Sequence, residues 1–168
     1  MRISTASLIK SSWRQVVQVR KINVGVIGAG FWGKKIVNEY LQLKEQNQLV
    51  DLHAVCDLLE DNLKYCQNYG LPCITKDYRE TISSSDIDAV NICTPNETHY
   101  QICREALEAG KHVLVEKPMT LSSAEAYELV ELARKRGLVL SVGHIFRFNN
   151  ALRMARNLIN NGFFGKLF

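Results

Sequence analysis

Three glycines carry the first chemical signal. In Gly28-Ala29-Gly30-Phe31-Trp32-Gly33 they fall at the spacing G-x-G-x-x-G. The run before them, Ile22 to Ile27, is β-branched and reads as a buried parallel strand; the run after, Phe31 to Leu43, has helical spacing. In that setting each glycine has a physical job. Gly28 permits a tight turn, Gly30 lets a pyrophosphate approach the backbone, and Gly33 lets the helix pack closely on the strand. The free N–H groups and the positive end of the helix then face the anion. Phe31 and Trp32 belong to the same turn and are expected at the cofactor site. The spacing alone is weak evidence; the strand–turn–helix context gives it weight.

Asp57 is the second signal. It closes the next strand-like run, Leu49 to Cys56, and stands 24 residues beyond Gly33, near the spacing of about 20 expected of an acidic ribose ligand. A carboxylate there accepts hydrogen bonds from the ribose hydroxyls of NAD and repels the extra phosphate of NADP. Leu58 follows it, with no Arg beside it to hold a phosphate. NAD is therefore expected rather than NADP. Asp57 can also cap the following helix, and the two roles can coexist. A glycine turn plus an acid also suits an S-adenosylmethionine enzyme, a less favoured reading.

Composition narrows the classes. The chain has 168 residues, 46% of them hydrophobic and 23% charged, with a net charge of +4. That is a globular balance with enough apolar material for a core. No basic stripe with interleaved aromatics points to nucleic acid, and no apolar run approaches membrane-spanning length. The five cysteines, Cys56, Cys66, Cys73, Cys93 and Cys103, form no C-x-x-C pair. They read as small buried hydrophobes in a reducing cytoplasm. The four histidines show no metal spacing, and no metal is expected.

The elements that position these residues alternate along the chain. Strand-like runs fall at 22–27, 49–56, 72–74, 87–93, 112–115 and 138–142. Helical runs fall at 31–43, 59–69, 77–82, 97–109, 121–136 and 150–160. Ser122 and Ser123 sit near the start of one helix, and Gly137 follows its end. Such alternation predicts an α/β fold with a Rossmann-type doubly wound parallel sheet.

Further motifs stand in order along this frame. They are Thr94-Pro95-Asn96-Glu97-Thr98-His99, Lys111-His112-Val113-Leu114-Val115-Glu116-Lys117-Pro118, and Val142-Gly143-His144-Ile145-Phe146-Arg147-Phe148-Asn149. With the glycine turn, they resemble the glucose–fructose oxidoreductase / inositol dehydrogenase family (Gfo/Idh/MocA) over about Ile22 to Phe168. The resemblance implies that Lys117 is the catalytic lysine, beside the nicotinamide ribose and the reacting sugar hydroxyl, with Pro118 following a cis bond. A cation there helps hold a developing oxyanion, and a desolvated Lys can move a proton. Lys117 also reads as a solvated Lys before a turn proline. The resemblance places Glu116 at the ribose end, or in a simple ion pair. It places Thr94, Pro95 and Asn96 in the loop lining the cofactor cleft. His99 is either a cofactor residue or a helix-terminus contact. Arg147 meets substrate or cofactor phosphate, or ties the last helix to the sheet. His53 and His112 fall in strands and read as structural. Finer similarity in Trp32-Gly33-Lys34, Thr98-His99-Tyr100 and Val142-Gly143-His144 points toward nucleotide-sugar dehydrogenases, which oxidise a ring hydroxyl.

The sequence also departs from that family. Family members carry a further antiparallel substrate domain, which is expected to be absent here, and Asn150 stands where a proline is usual. The expected organisation is a basic, poorly ordered leader (1–21), a dinucleotide-binding domain (22–148), and a terminal helix that would begin the missing domain (149–168). The leader is Ser- and Arg-rich, like an organellar transit peptide, or it is a tail added by an upstream start codon. An apolar face around Phe146, Phe148, Phe163, Phe164 and Phe168 is expected to be exposed and to find a partner chain or a second copy. The expected function is the NAD-binding part of a sugar or polyol oxidoreductase. The alternatives are a non-catalytic NAD-binding module and a truncated gene product.

Overall fold

A computed structural model describes residues 20–46 and 49–166. The leader up to residue 19, and Phe168, lie outside the described residues. Six strands form one sheet: β1 (Ile22–Ile27), β2 (Val50–Cys56), β3 (Cys73–Thr75), β4 (Ala89–Ile92), β5 (His112–Val115) and β6 (Leu140–Val142). All pairings are parallel, in the order β3-β2-β1-β4-β5-β6. The helices are α1 (Phe31–Glu45), α2 (Glu60–Gln67), α3 (Tyr78–Ser83), α4 (His99–Glu108), α5 (Ser123–Arg136) and α6 (Asn150–Asn160). This is the doubly wound sheet that the alternation predicts.

The winding reverses between β1 and β4. From β1 the chain moves outward to β2 and β3, then returns to place β4 on the other side of β1. Ile27 pairs with Ile92 at the carboxyl end of that pair. The connections leaving those two strands part in opposite directions and open a crevice, where ligands bind in open α/β sheets.

Neighbouring residues of a strand serve opposite faces. Val26, Leu52 and Val55 pack with Val37 of α1 and with Leu63 and Cys66 of α2. Ile27, Ala54 and Cys56 join Ile92 and Val115 in the other layer, which takes Ile102 and Leu107 from α4 and Leu129 from α5. Each such side chain, fully buried, contributes roughly 1.5–3 kcal/mol by leaving water. Both faces of the sheet are thus covered around β1, and the crevice mouth sits on a rigid floor.

Helix ends follow their side chains. Asp77 accepts from Arg79 N at 2.9 Å, Ser122 from Ala124 N at 3.2 Å, and Asn149 from Ala151 N at 3.0 Å. Gly137 closes α5 in the left-handed region, φ +66°. Several boundaries differ from the sequence reading, and three of the shifts have a hydrogen-bonding reason. Leu138 N donates to Ala133 O, so the residue completes the helix cap and β6 starts at Leu140. Ile87 turns back onto Ser84 O, so β4 starts at Ala89. A 3-10 turn at Asn96–Thr98 precedes α4, drawn tight by Thr98, whose N and Oγ1 both donate to Pro95 O. A second 3-10 turn, Ile145–Phe148, was not anticipated.

The last helix, α6, packs on that second turn and buries none of its residues. Phe146, Phe148, Phe163 and Phe164 are all exposed, from 53% to 76%. No described helix is long and apolar enough to cross a membrane.

Candidate functional site

The crevice at the β1/β4 switch point is a cleft of about 760 Å³. Its walls include Gly28, Gly30, Asp57, Thr94 and Pro95, all expected from the sequence. The three glycines have distinct surroundings. Gly28 has φ +92°, and a Cβ there would lie 2.7 Å from the backbone carbon of Cys93. A Cβ on Gly33 would lie 1.8 Å from Gly28 O, so the helix can approach the turn only without one. Around Gly30 nothing comes within 4 Å of a Cβ position. Two glycines are thus required by the fold, and the third faces open space.

That space suits a pyrophosphate. Gly30 caps α1 without a side-chain hydrogen bond, and the first turn holds no acidic residue. The N–H groups that open a helix lack internal acceptors, so this end offers donors and positive potential to an anion. Phe31 and Trp32 open the helix on its exposed side, with Lys35 Nζ 4.3 Å and 4.4 Å from their ring centres.

Asp57 has two structural bonds. Oδ2 accepts from Ala29 N at 2.7 Å and Oδ1 from Leu59 N at 2.8 Å. One oxygen ties down the glycine turn and the other holds the N–H of Leu59, the residue before α2. A carboxylate has about four lone-pair sites, so a ribose hydroxyl can still be accepted on the side that lines the cleft. Cys56 and Cys93 also line the cleft. Burial pushes each thiol up to about 12, with Asp57 adding to the effect at Cys56 and Glu116 at Cys93. Neither is a thiolate nucleophile near neutral pH.

The remaining expected residues are not among those that line the cleft. His99 stands behind the lip rather than in the lining. It is fully buried; Nδ1 lies 2.8 Å from Pro118 O and Nε2 2.9 Å from Thr94 O. Both ring nitrogens are occupied, and the side chain braces the Thr94 loop against the Lys117 loop. This is the helix-terminus alternative, extended to a second loop. Lys117 follows β5, is exposed, and precedes Pro118 through a cis bond. Glu116 is half-buried against Gly143, where a Cβ would lie 3.1 Å from its Oε1, and it accepts from Lys117 N at 3.3 Å. Asn96 is exposed in the first 3-10 turn and Arg147 in the second. The cleft itself encloses Gly28, Asp57 and the α4 start, while Lys117 stands on the next strand end. Among the described residues, no cluster of three His, Cys, Asp or Glu could hold a metal ion.

Sequence reasoning missed the wall opposite the glycine turn. Lys76 enters it from the β3–α3 connection, Tyr78 and Arg79 from the start of α3, and Gln101 and Ile102 from α4. Arg79 Nε and Nη2 reach the carboxylate of Glu105 at 3.3 Å and 3.4 Å. Tyr78 Oη donates to Glu105 at 3.0 Å, and Gln101 Nε2 at 2.9 Å. Burial pushes the Glu105 carboxyl up, but hydrogen bonds from Gln101 and Tyr78 and the charge of Arg79 outweigh it and hold the group below its ordinary value. Arg79 and Tyr78 lie 26 and 27 residues from Glu105, and no local spacing signals those two contacts.

The comparisons with known proteins agree with this geometry. A model of an oxidoreductase family with an NAD-binding Rossmann fold matches residues 22–144. A D-glucoside 3-dehydrogenase of Escherichia coli is 32% identical over 88% of the chain. A UDP-N-acetylglucosamine 3-dehydrogenase of Acidithiobacillus ferrooxidans is 44% identical over 43% of it. The crystal structure of scyllo-inositol dehydrogenase from Lactobacillus casei, with bound NAD(H) and scyllo-inositol, superposes with a TM-score of 0.80 at 28% identity over 88% of the chain. The chain spans 41% of the length of the first relative and 43% of the last.

Proposed function

This chain belongs to the Gfo/Idh/MocA oxidoreductase family, and from that premise we propose that it is the NAD-binding part of a sugar or polyol dehydrogenase. The substrate class is a cyclic polyhydroxy compound, with a nucleotide-linked amino sugar as the finer reading. The observation that carries the proposal is the cleft itself: a glycine turn open only at Gly30, with Asp57 bonded to that turn and Lys117 on the adjoining strand end. The relatives support the substrate class by what they act on.

When bound, the nicotinamide supplies the acceptor for the hydride that leaves the carbinol carbon. The chain's residues do the rest. The start of α1 holds the pyrophosphate against Gly30. Asp57 accepts from the ribose hydroxyls while keeping the turn closed. Thr94, Pro95 and Asn96 form the opposite lip, which His99 holds in place. Glu116 sets the end of β5, and Lys117 presents its ammonium to the reacting hydroxyl. There it stabilises developing negative charge or carries away the hydroxyl proton. Arg147 adds a cation at the edge where a phosphate-bearing substrate would lie. The five cysteines are unpaired, which supports a reducing compartment such as the cytoplasm.

A second reading is a module that binds NAD without turnover. It is favoured by the exposure of Lys117, which stands outside the enclosed part of the cleft. NAD titration of the full chain, followed by NADH production over a panel of UDP-sugars and polyols, decides between them. The dehydrogenase reading expects turnover that falls at least about 100-fold in Lys117→Ala while NAD affinity stays within twofold. Binding with no turnover on any substrate leaves the module, and no NAD binding overturns both.

A further inference from the structure

The cleft extends past the glycine turn and past Asp57. Beyond Asp57 it is bounded by apolar side chains, Leu58 and Leu59 on one side and Ile102 on the other. A dinucleotide with its pyrophosphate at Gly30 and its ribose at Asp57 brings its base to this end; this step rests on the cofactor reading above. An apolar slot suits a flat base, but it does not choose among bases by itself.

Arg79 changes that. Its guanidinium lies over the Tyr78 ring, 4.7 Å from the ring centre, and it also lines the cleft. The Glu105 carboxylate of α4 fixes its plane through two nitrogens, and Tyr78 and Gln101 hold that carboxylate in turn. An arginine on a wall would ordinarily sweep through many rotamers, and ordering it on binding would cost affinity. Here the ordering is done in advance by a four-residue network that joins α3 to α4. A planar guanidinium stacks favourably on an aromatic face, more so on a purine, which offers the larger π surface.

We propose that Arg79, pinned to Glu105 and backed by Tyr78, is a preformed stacking platform that selects the adenine of the cofactor. Lys76 lies on the same wall, but it pairs with Glu60 at 2.6 Å. Asp57 lines this end and opposes a 2′-phosphate, and Glu60 offsets the charge of Lys76. The platform therefore reads the base and not a phosphate.

ADP and CDP test this, because they share pyrophosphate and ribose and differ only in the base. Calorimetric titration of the full chain is run on wild type, Arg79→Ala, and Arg79→Lys, which keeps the charge and the contact with Glu105 but loses the plane. The expected result is tighter ADP than CDP binding in wild type. Both variants lose about tenfold toward ADP and NAD and stay within twofold toward CDP, so the base preference collapses. Equal losses for ADP and CDP would mean a merely structural arginine, and no loss for either would mean an idle one; both overturn the proposal. A loss confined to NADP, with NAD unchanged, also overturns it in favour of a phosphate clamp. If wild type binds CDP but not ADP or NAD, the platform falls with the cofactor reading. If wild type binds NAD normally, only the Arg79 variants decide.

Discussion

At the scale of single residues, the glycine turn separates folding from binding. Gly28 and Gly33 are held against backbone atoms at 2.7 Å and 1.8 Å from where a Cβ would sit, while Gly30 meets nothing. The three positions look alike in the motif and are physically unlike. Gly33→Ala forces α1 away from the turn, and overpacking of this kind costs about 1–3 kcal/mol or more. Gly30→Ala disturbs no packed atom, yet it places a methyl where the anion must lie. Thermal melts and NAD titrations of both variants should therefore diverge: a melting temperature lowered by several degrees for Gly33→Ala, and one within about 2 °C of wild type for Gly30→Ala. Gly30→Ala should nonetheless lose at least about tenfold in NAD affinity. Similar melts and similar affinities would show that the turn does not bind as described. His99 teaches the opposite lesson about motifs. Its place among motif residues left a cofactor contact and a helix-terminus contact open, and its ring is buried between the carbonyls of Thr94 and Pro118.

At the scale of elements, the strands and helices were legible because their signals are local. β1, β5 and α6 have the bounds that apolar runs and turn residues predict, and Gly137 ends α5 where expected. What was not legible depends on pairs far apart in the chain. Lys111 was read only as part of a motif, yet it is buried. Its Nζ donates to Ser84 O at 2.6 Å and to Ile87 O at 2.8 Å. It thereby ties the turn before β5 to the turn before β4, and burial lowers its pKa despite the nearby charges of Asp88 and Asp86. The same long separation hid the Arg79–Glu105 network. Lys111→Met keeps most of the apolar stem but takes the ammonium donor from both carbonyls and leaves Ser84 O only the bond from Ile87 N, which should cost about 2 kcal/mol. Urea denaturation checks this. A midpoint equal to wild type would mean that water replaces the ammonium without penalty.

At the scale of the whole molecule, the two sides of the sheet's carboxyl edge differ. Around β1 and β4 the loops close over a cleft. Beyond β6 the chain leaves the sheet through Ile145–Phe148 into α6, whose residues are all exposed or only half-buried. Phe146, Phe148, Phe163 and Phe164 carry the apolar exposure that the sequence led us to expect, with Leu152 and Met154 beside them in the chain. Apolar surface left in water costs roughly 25 cal/mol per Å², and aromatic side chains expose more of it than any others. Two chains that met through this face would recover that free energy without disturbing the cofactor cleft at β1 and β4. The full chain should accordingly scatter light as a dimer or larger species at micromolar concentration. The association should persist at high salt, because apolar contact is not screened as charge pairing is. Phe146→Ser combined with Phe163→Ser should return it to monomer while leaving NAD affinity within twofold. A wild-type chain that is strictly monomeric under those conditions would show that these aromatics tolerate water, and self-association would have to be abandoned.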